Sequence, residues 1–371
     1  MANCLSPNWN VFSVVNEPNE QERCAEFCEQ IARASHTRQP LVIHGGNSKR
    51  FYGRQCEGEA LDVSGHSGIL EYEPSELMIR ARAGTRLTEI ETALVKNHQM
   101  LPFEPPAFTP LTTIGGATAS GLSGPRRPFA GAIRDAVLGV GLVNGRGELL
   151  HFGGQVMKNV AGYDLSRLMA GALGTLGLIT DVSLRVLPRP AMETTFVQTC
   201  KQREAIQRCV TWAQRPLPLS AACWYDDKLY LRIRASEKHL GVIKQQLGDG
   251  QVQEDTQWWP SIRDQQHEFF TRKDVLWRLS LPPATAPLDL GGDWLIDWGG
   301  AQRWLYSDED PAIIRDTAAA AGGHATLFRH GDPAEDIFHP LQPALLKLHQ
   351  KLKQALDPVG ILNPGKLYKE L

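Results

Sequence analysis

Apolar positions recur at helical spacing near the start of the chain, with Cys24, Phe27 and Ile31 on one face, and predict a helix from Asn19 to Ala34 with Asn19 and Glu22 as a capping pair. Leu41-Val42-Ile43 reads as a short buried strand running directly into glycines. Ile69–Glu73 and Leu77–Ala83 read as a strand pair, after which Thr85 is placed to cap a helix carrying Leu87, Ile90 and Leu94. Val137–Val143 and Glu148–Phe152 flank Asn144-Gly145, a hairpin signal. Beyond Ile179, Val182, Leu184 and Val186 alternate with Asp181, Ser183 and Arg185, the period of a strand with one wet face, up to Pro188 and Pro190.

Past those prolines the pattern changes. Eight of the nine tryptophans follow residue 211, and strands around Leu229–Ile233, Val275–Leu281 and Trp294–Trp298 alternate with helical stretches at Gln202–Gln214 and Ser236–Leu247. This order predicts an antiparallel sheet with helices on one face and tryptophans in its core, some left over as interface anchors. A last helix, Pro343–Leu356, carries Leu345, Leu348, Leu352 and Leu356 on one stripe and stops at Asp357-Pro358.

Charge and composition remove several function classes. A net charge of −2 argues against a polyanion partner, so nucleic acid is not expected. No window is apolar enough to span a bilayer, and the first residues, Met1 to Pro7, lack the pattern of an export signal, so a cytoplasmic protein that meets a membrane only through partners is expected. Cys4, Cys24, Cys28, Cys56, Cys200, Cys209 and Cys223 form an odd, scattered set, which favours reduced thiols and no iron–sulfur cluster on this chain. Cys24 and Cys28, one helical turn apart, read as core because Phe27 and Ile31 share their face.

The candidate chemistry lies in three glycine-rich runs of the first half: IHGGNSKRFYG (Ile43–Gly53), TTIGGATASGLSGPRRPFAGAIRDAVL (Thr112–Leu138) and KNVAGYDLSRLMAGALGTLGLIT (Lys158–Thr180). Glycine lets main-chain N–H groups approach an anion closely, and three such runs suggest one large cofactor touched many times. A dinucleotide fold of the Rossmann kind fails, because Gly139-Val140-Gly141 leads into Asn144-Gly145 and a second strand instead of a helix. A Walker loop fails because no glycine run closes on Gly-Lys-Ser or Gly-Lys-Thr.

The three runs, in this order, resemble the FAD-binding module of the vanillyl-alcohol oxidase and p-cresol methylhydroxylase superfamily. The third run and the terminal DPVGILNPGKLY are most similar to the glycolate oxidase branch, and within it to the smaller FAD-binding subunit. The resemblance implies an α+β protein: a PCMH-type FAD-binding domain over residues 1–188, a smaller α+β cap domain with an antiparallel sheet over 189–330, and a helix and tail over 331–371 that return to the FAD domain. It implies a pyrophosphate nest at His44, Gly45, Gly46, Asn47 and Ser48. A segment from Thr113, Ile114, Gly115 and Gly116 through Ser120 and Ser123 to Gly124 would run along the dinucleotide. An adenine-side loop would fall at Gly174, Gly177 and Ile179, and Lys366 would fold back to the flavin or seal the domain.

Asn47 stands where members with covalent flavin often carry histidine, so a non-covalent FAD is expected. The Gly-Asp-Gly-Asn-x-His element of the catalytic subunit has no copy here. The nearest stretch, Gly323-His324 through His330-Gly331-Asp332, lacks its asparagine and second histidine, so no metal is expected and no catalytic residue is assigned. Ser120 and Ser123 read either as donors to phosphate or flavin carbonyls or as solvated hydroxyls. Arg126 and Arg127 read as partners of pyrophosphate or a substrate carboxylate, or as a plain surface pair. Asp164 reads as an N-cap for Leu165–Met169.

The resemblance further implies oxidation of a small 2-hydroxyacid, a second FAD-containing catalytic subunit, an iron–sulfur subunit and an assembly at the inner membrane. Two other readings stay open: a freestanding FAD-dependent D-2-hydroxyacid dehydrogenase, and a non-catalytic flavin-bearing scaffold.

Overall fold

The computed structural model describes residues 19–154, 163–235, 237–254, 256–332 and 335–371. The Met1–Pro7 segment with Cys4, the Asn159–Gly162 turn of the third run and Pro333-Ala334 lie outside them.

The first half contains helix α1 (Asn19–Thr37) and strands β1 (Leu41–His44), β2 (Glu59–Asp62), β3 (Ile69–Glu73) and β4 (Met78–Arg82), followed by α2 (Leu87–Lys96), β5 (Gln99–Met100) and α3 (Ile114–Ser120). After these come β6 (Val137–Val143), β7 (Leu149–Gly153), β8 (Leu178–Arg185) and β9 (Leu187–Pro188). Helix α1 is already formed at Asn19, where the described residues begin, so how it is capped lies outside them. Its Phe27 and Ile31 are buried in the first core, and Cys28 packs against that core.

Five strands form an antiparallel sheet in the order β3-β4-β8-β6-β7. The expectation of a wet face on β8 fails. It lies between β4 and β6, both its faces are covered, and Asp181 and Ser183 are buried with the apolar residues. Asp181 is tolerated there because Arg80 Nε donates to its Oδ1 at 2.7 Å and Thr180 donates to Oδ2 at 3.1 Å. Thr85 also departs from expectation. The cap position of α2 is Arg86, and the fully buried Thr85 hydroxyl instead ties to the backbone of Gly68, accepting from its N–H at 2.9 Å and donating to its carbonyl at 3.0 Å. The β6–β7 hairpin forms as expected, with Gly147 at φ 79° as the residue that needs the left-handed region.

Strands β1 and β2 pair in parallel, and the C-terminal tail lies on the other side of β1: Leu41 N donates to Ile361 O at 2.8 Å and Asn363 N donates to Leu41 O at 2.9 Å. The tail is held by a buried pair at the end of the Pro343–Leu356 helix. Lys353 Nζ lies 2.8 Å from Asp357 and donates to the carbonyls of Thr175 (2.8 Å) and Leu362 (2.7 Å), while Asp357 accepts from the amides of Gly360, Ile361 and Leu362. Only Leu352 and Leu356 of the expected leucine stripe pack on the core; Leu345 and Leu348 are exposed.

The second half adds β10 (Thr194–Thr199), β11 (Leu219–Tyr225), β12 (Lys228–Ile233), β13 (Gln251–Gln253), β14 (Leu276–Ser280), β15 (Asp293–Asp297), β16 (Gln302–Tyr306) and β17 (His324–Arg329). They make one eight-stranded antiparallel sheet in the order β13-β10-β12-β11-β15-β16-β14-β17, so the protein is α+β. Trp212, Trp258, Trp259, Trp277, Trp298 and Trp304 are buried, and Tyr52, Leu122 and Leu173 of the first half join the aromatic cluster around Trp258, Trp304 and Phe328. Loops of the first half and the second sheet therefore meet across a shared apolar seam.

Candidate functional site

The first glycine run leaves β1 and turns at Asn47, whose φ is 54°. Its backbone touches the chain ahead of α3 so closely that a Cβ on Gly46 would lie 1.5 Å from Leu111 O, and one on Gly45 would lie 2.7 Å from Thr113 Oγ1. Thr113 then caps α3 by accepting from Gly116 N at 3.2 Å, and the Ser48 and Thr112 hydroxyls meet at 2.9 Å. The third run closes on the other side. Gly174, at φ 71°, would drive a Cβ to 2.7 Å from Asn363 Nδ2. Asn363, on the C-terminal tail, ties the first run to the third: its Oδ1 accepts from Ile43 N at 2.7 Å and its Nδ2 donates to Leu173 O at 2.7 Å.

Between these loops runs a cleft of about 720 Å³, with a narrower recess of about 80 Å³ beside it. His44, Gly45, Gly46, Asn47, Ser48, Thr113, Gly116, Ser120 and Lys366 line the cleft; Gly115, Gly174, Gly177 and Ile179 line the recess, which shares His44, Gly45, Thr113 and Gly116 with the cleft. Ile43, Val63 and Ala83 supply the apolar floor of the recess, a slot of small and flat surfaces suited to a planar ring. Lys49, Arg50 and Lys366 line the cleft against the single carboxylate of Glu57. Burial lowers the Lys366 ammonium below the usual lysine range, with Cys56 opposing and Arg50 adding to the shift, and its Nζ donates to Arg50 O at 3.3 Å. A cleft with many main-chain walls and an excess of cations fits a diphosphate-bridged dinucleotide.

Three of the expected site residues stand apart from this cleft. Ile114 is fully buried in the core. Ser123 accepts from Ile133 N at 3.4 Å within its own run, and Gly124 accepts from the Trp298 indole at 2.9 Å and donates to Phe103 O at 2.9 Å, which ties Gly124 to the second half. The Ser120 hydroxyl donates to Ala117 O at 3.0 Å at the cleft edge.

Arg126 and Arg127 reach neither the cleft nor the surface pairing expected of them. Arg126 is buried, donating to Glu104 at 3.1 Å and in fork geometry to Glu193 at 2.9 and 2.7 Å. Arg127 stacks 4.2 Å over the Trp298 ring. Arg232 completes the network, with an Nη1–Glu104 distance of 2.9 Å and its Nε donating to Ser220 at 3.1 Å. Burial pushes the Glu193 carboxyl up, but the Arg126 hydrogen bonds and the two arginine charges outweigh it and hold it low. Asp164 sits inside the first turn of the Tyr163–Leu168 helix instead of capping it. Asn363 was legible only as a turn residue; nothing local in the sequence shows that its amide reaches Ile43 and Leu173.

Among the described residues no three His, Cys, Asp or Glu side chains gather as a metal site, and no helix is long and apolar enough to cross a membrane. Comparison with known proteins locates an FAD binding domain at residues 13–153 and a C-terminal domain of FAD linked oxidases at residues 338–367. The chain is 47% identical over 343 residues to glycolate oxidase subunit GlcE of Escherichia coli K12, spanning 92% of this chain and 97% of that one. It is 29% identical over 189 residues to glycolate oxidase subunit GlcD of Bacillus subtilis 168, across 50% of this chain and 40% of that protein. A solved alkyldihydroxyacetonephosphate synthase shares the fold, with a TM-score of 0.64 at 14% identity over 91% of this chain and 74% of that one.

Proposed function

We propose, from the premise that this chain belongs to the FAD-linked oxidoreductase family of the glycolate oxidase subunit GlcE, that it is the FAD-carrying subunit of a multi-subunit glycolate oxidase. In that role it takes part in oxidising a small 2-hydroxyacid to the oxoacid and passes the electrons toward an iron–sulfur partner, beside a second FAD-containing subunit. The observation that carries the reading is the likeness to GlcE over 92% of this chain and 97% of that one, beside FAD-family matches at residues 13–153 and 338–367. The complex is cytoplasmic, or peripheral at the inner membrane through its partners.

FAD, when bound, accepts an electron pair and gives it up again. The chain's own part is to hold and shield it. The Gly45–Ser48 backbone with Arg50 and Lys366 would take the diphosphate, the recess at Gly174, Gly177 and Ile179 would take a ring, and Asn363 would keep the first and third loops in register. Asn47 offers no nucleophile to the flavin, so the cofactor is proposed to be dissociable, and acid precipitation of the purified protein should release all yellow colour into the supernatant.

The test is anaerobic addition of glycolate to the purified, flavin-loaded chain and to its mixtures with candidate partner subunits. Bleaching only in the mixtures is the expected result. Bleaching of the lone chain would replace this reading by the freestanding dehydrogenase, and a flavin that never bleaches in any mixture would replace it by the scaffold.

A further inference from the structure

Lys49 and Arg329 come from opposite halves of the molecule and both approach the ring of Phe108. The Lys49 ammonium lies 5.3 Å from the centroid of Phe108, and the Arg329 guanidinium lies 5.2 Å from the same centroid and 4.5 Å from that of Phe51. Lys49 Nζ is out of contact with solvent and has no hydrogen-bond partner, and neither cation pairs with a carboxylate among the described residues. Asp264, whose charge is felt at Lys49, is already committed: it takes two hydrogen bonds from Arg263 at 2.9 and 2.7 Å and one from the Ala107 amide at 2.8 Å. Burial lowers Lys49 to about 8 and also lowers Arg329.

Two desolvated cations sharing a ring repel each other, and the ring quadrupole offsets only part of that cost. Other buried arginines of this chain have acceptors: Arg126 and Arg232 meet Glu104 and Glu193, Arg80 meets Asp181, and the fully buried Arg303 donates to the carbonyls of Gly300, Ala286 and Thr285. The unmatched pair stands where the first glycine run, which carries Lys49 and Phe51, faces the end of β17, which carries Arg329. Lys49 also lines the cofactor cleft, so a group bound between the cations would sit at the boundary between the cleft and the second sheet.

We infer that Lys49 and Arg329, on the Phe51–Phe108 platform, form a subsite for the carboxylate of a small organic acid. The identity of the acid as a 2-hydroxyacid rests on the proposed function; the subsite itself does not. A carboxylate supplies two oxygens for the planar guanidinium and a charge for the ammonium, with the aromatic faces bounding a short carbon chain. No bond is made or broken there.

The test is calorimetric titration of the flavin-loaded chain with oxalate, glycolate and inorganic phosphate, on wild type and on Lys49→Met, Arg329→Met and Arg329→Lys. Saturable carboxylate binding is expected, weakened at least tenfold in both methionine variants, partly kept in Arg329→Lys, and with Arg329→Met retaining one flavin per chain. Unchanged carboxylate affinity in the methionine variants would overturn the inference, as would absence of binding in the wild type. Preference for phosphate over both carboxylates, or loss of flavin from Lys49→Met in place of lost carboxylate binding, would assign the cations to a phosphate instead. Because binding is read without electron transfer, a flavin that glycolate never reduces would sink the proposed function and leave this result standing.

Discussion

The cofactor cleft and the seam between the two halves sit side by side and are built on opposite plans. In the cleft the walls are main chain and glycine, and the loops approach one another until no Cβ fits, as at Gly46 against Leu111. In the seam the walls are large side chains that complete one another: Arg126 and Arg232 against Glu104 and Glu193, Trp298 against Arg127 and Gly124, and Trp304 at 4.8 Å from Phe328. The buried arginines and carboxylates of the seam are paired with one another. The cleft still offers backbone groups and cations, and that difference marks where a ligand belongs more clearly than cavity size does, since a cleft of about 670 Å³ along the seam is nearly as large.

The sharpest way to break the comparison is one methyl group. In Gly46→Ala the new Cβ overlaps the Leu111 carbonyl at 1.5 Å, and a backbone oxygen cannot rotate aside. Ordinary overpacking costs roughly 1–3 kcal/mol. A backbone overlap of this depth should exceed the top of that range and separate the first loop from the second. Thermal unfolding should fall sharply, and affinity for flavin, read by its retention through gel filtration and by titration, should drop at least a hundredfold. Wild-type flavin content in this variant would mean the close loop approach does not shape the site.

In the seam the corresponding change is Arg126→Met, which takes the bidentate partner from Glu193 and leaves Glu104 and Glu193 with Arg232 as their remaining cation. Breaking a buried pair by removing one partner costs about 3–5 kcal/mol. Denaturant midpoints should shift accordingly, while the fraction still folded keeps flavin with wild-type affinity, because Arg126 does not line the cofactor cleft. Loss of flavin affinity in step with stability would show that the seam and the cleft are one unit.

What could be read along the chain divides in the same way. The cleft was largely legible because glycine is demanded where segments nearly touch, against backbone at Gly46 and Gly115 and against side chains at Gly45 and Gly174, so the requirement is written locally. The seam was not. Arg126 looks like one of a surface pair until Glu193 and Glu104 are brought beside it, and Asp181 looks solvated until Arg80 arrives from the next strand. Asn363 sits 320 residues from the Ile43 amide that it anchors, a distance that no periodicity bridges. The leucine stripe of the last helix misled for a related reason: the tail docks through Lys353 and Asp357, leaving Leu345 and Leu348 outside.

The smallest expected effect has the opposite sign and belongs to the seam. Asp297 is wholly buried; burial raises its carboxyl to about 7, the Trp298 amide at 2.7 Å pulls it down, Glu104 pushes it further up and Arg232 opposes. A carboxyl whose folded value is raised binds its proton more tightly in the folded state. Its favourable contribution is therefore complete below the unfolded value of 3.8 and is lost as pH rises through about 7. Above that pH the chain must bury a third carboxylate beside Glu104 and Glu193 with only Arg126 and Arg232 to balance them. Asp297→Asn keeps an oxygen for the Trp298 amide and carries no charge at any pH. A tenfold change in proton affinity is worth about 1.4 kcal/mol, so the variant should gain on the order of 2–4 kcal/mol over wild type at roughly pH 8 and show little difference at roughly pH 4. Paired denaturation curves at those two values read this directly. A variant less stable than wild type at the higher pH would mean that Asp297 is ionised in the native seam and that the network is charge-balanced in another way.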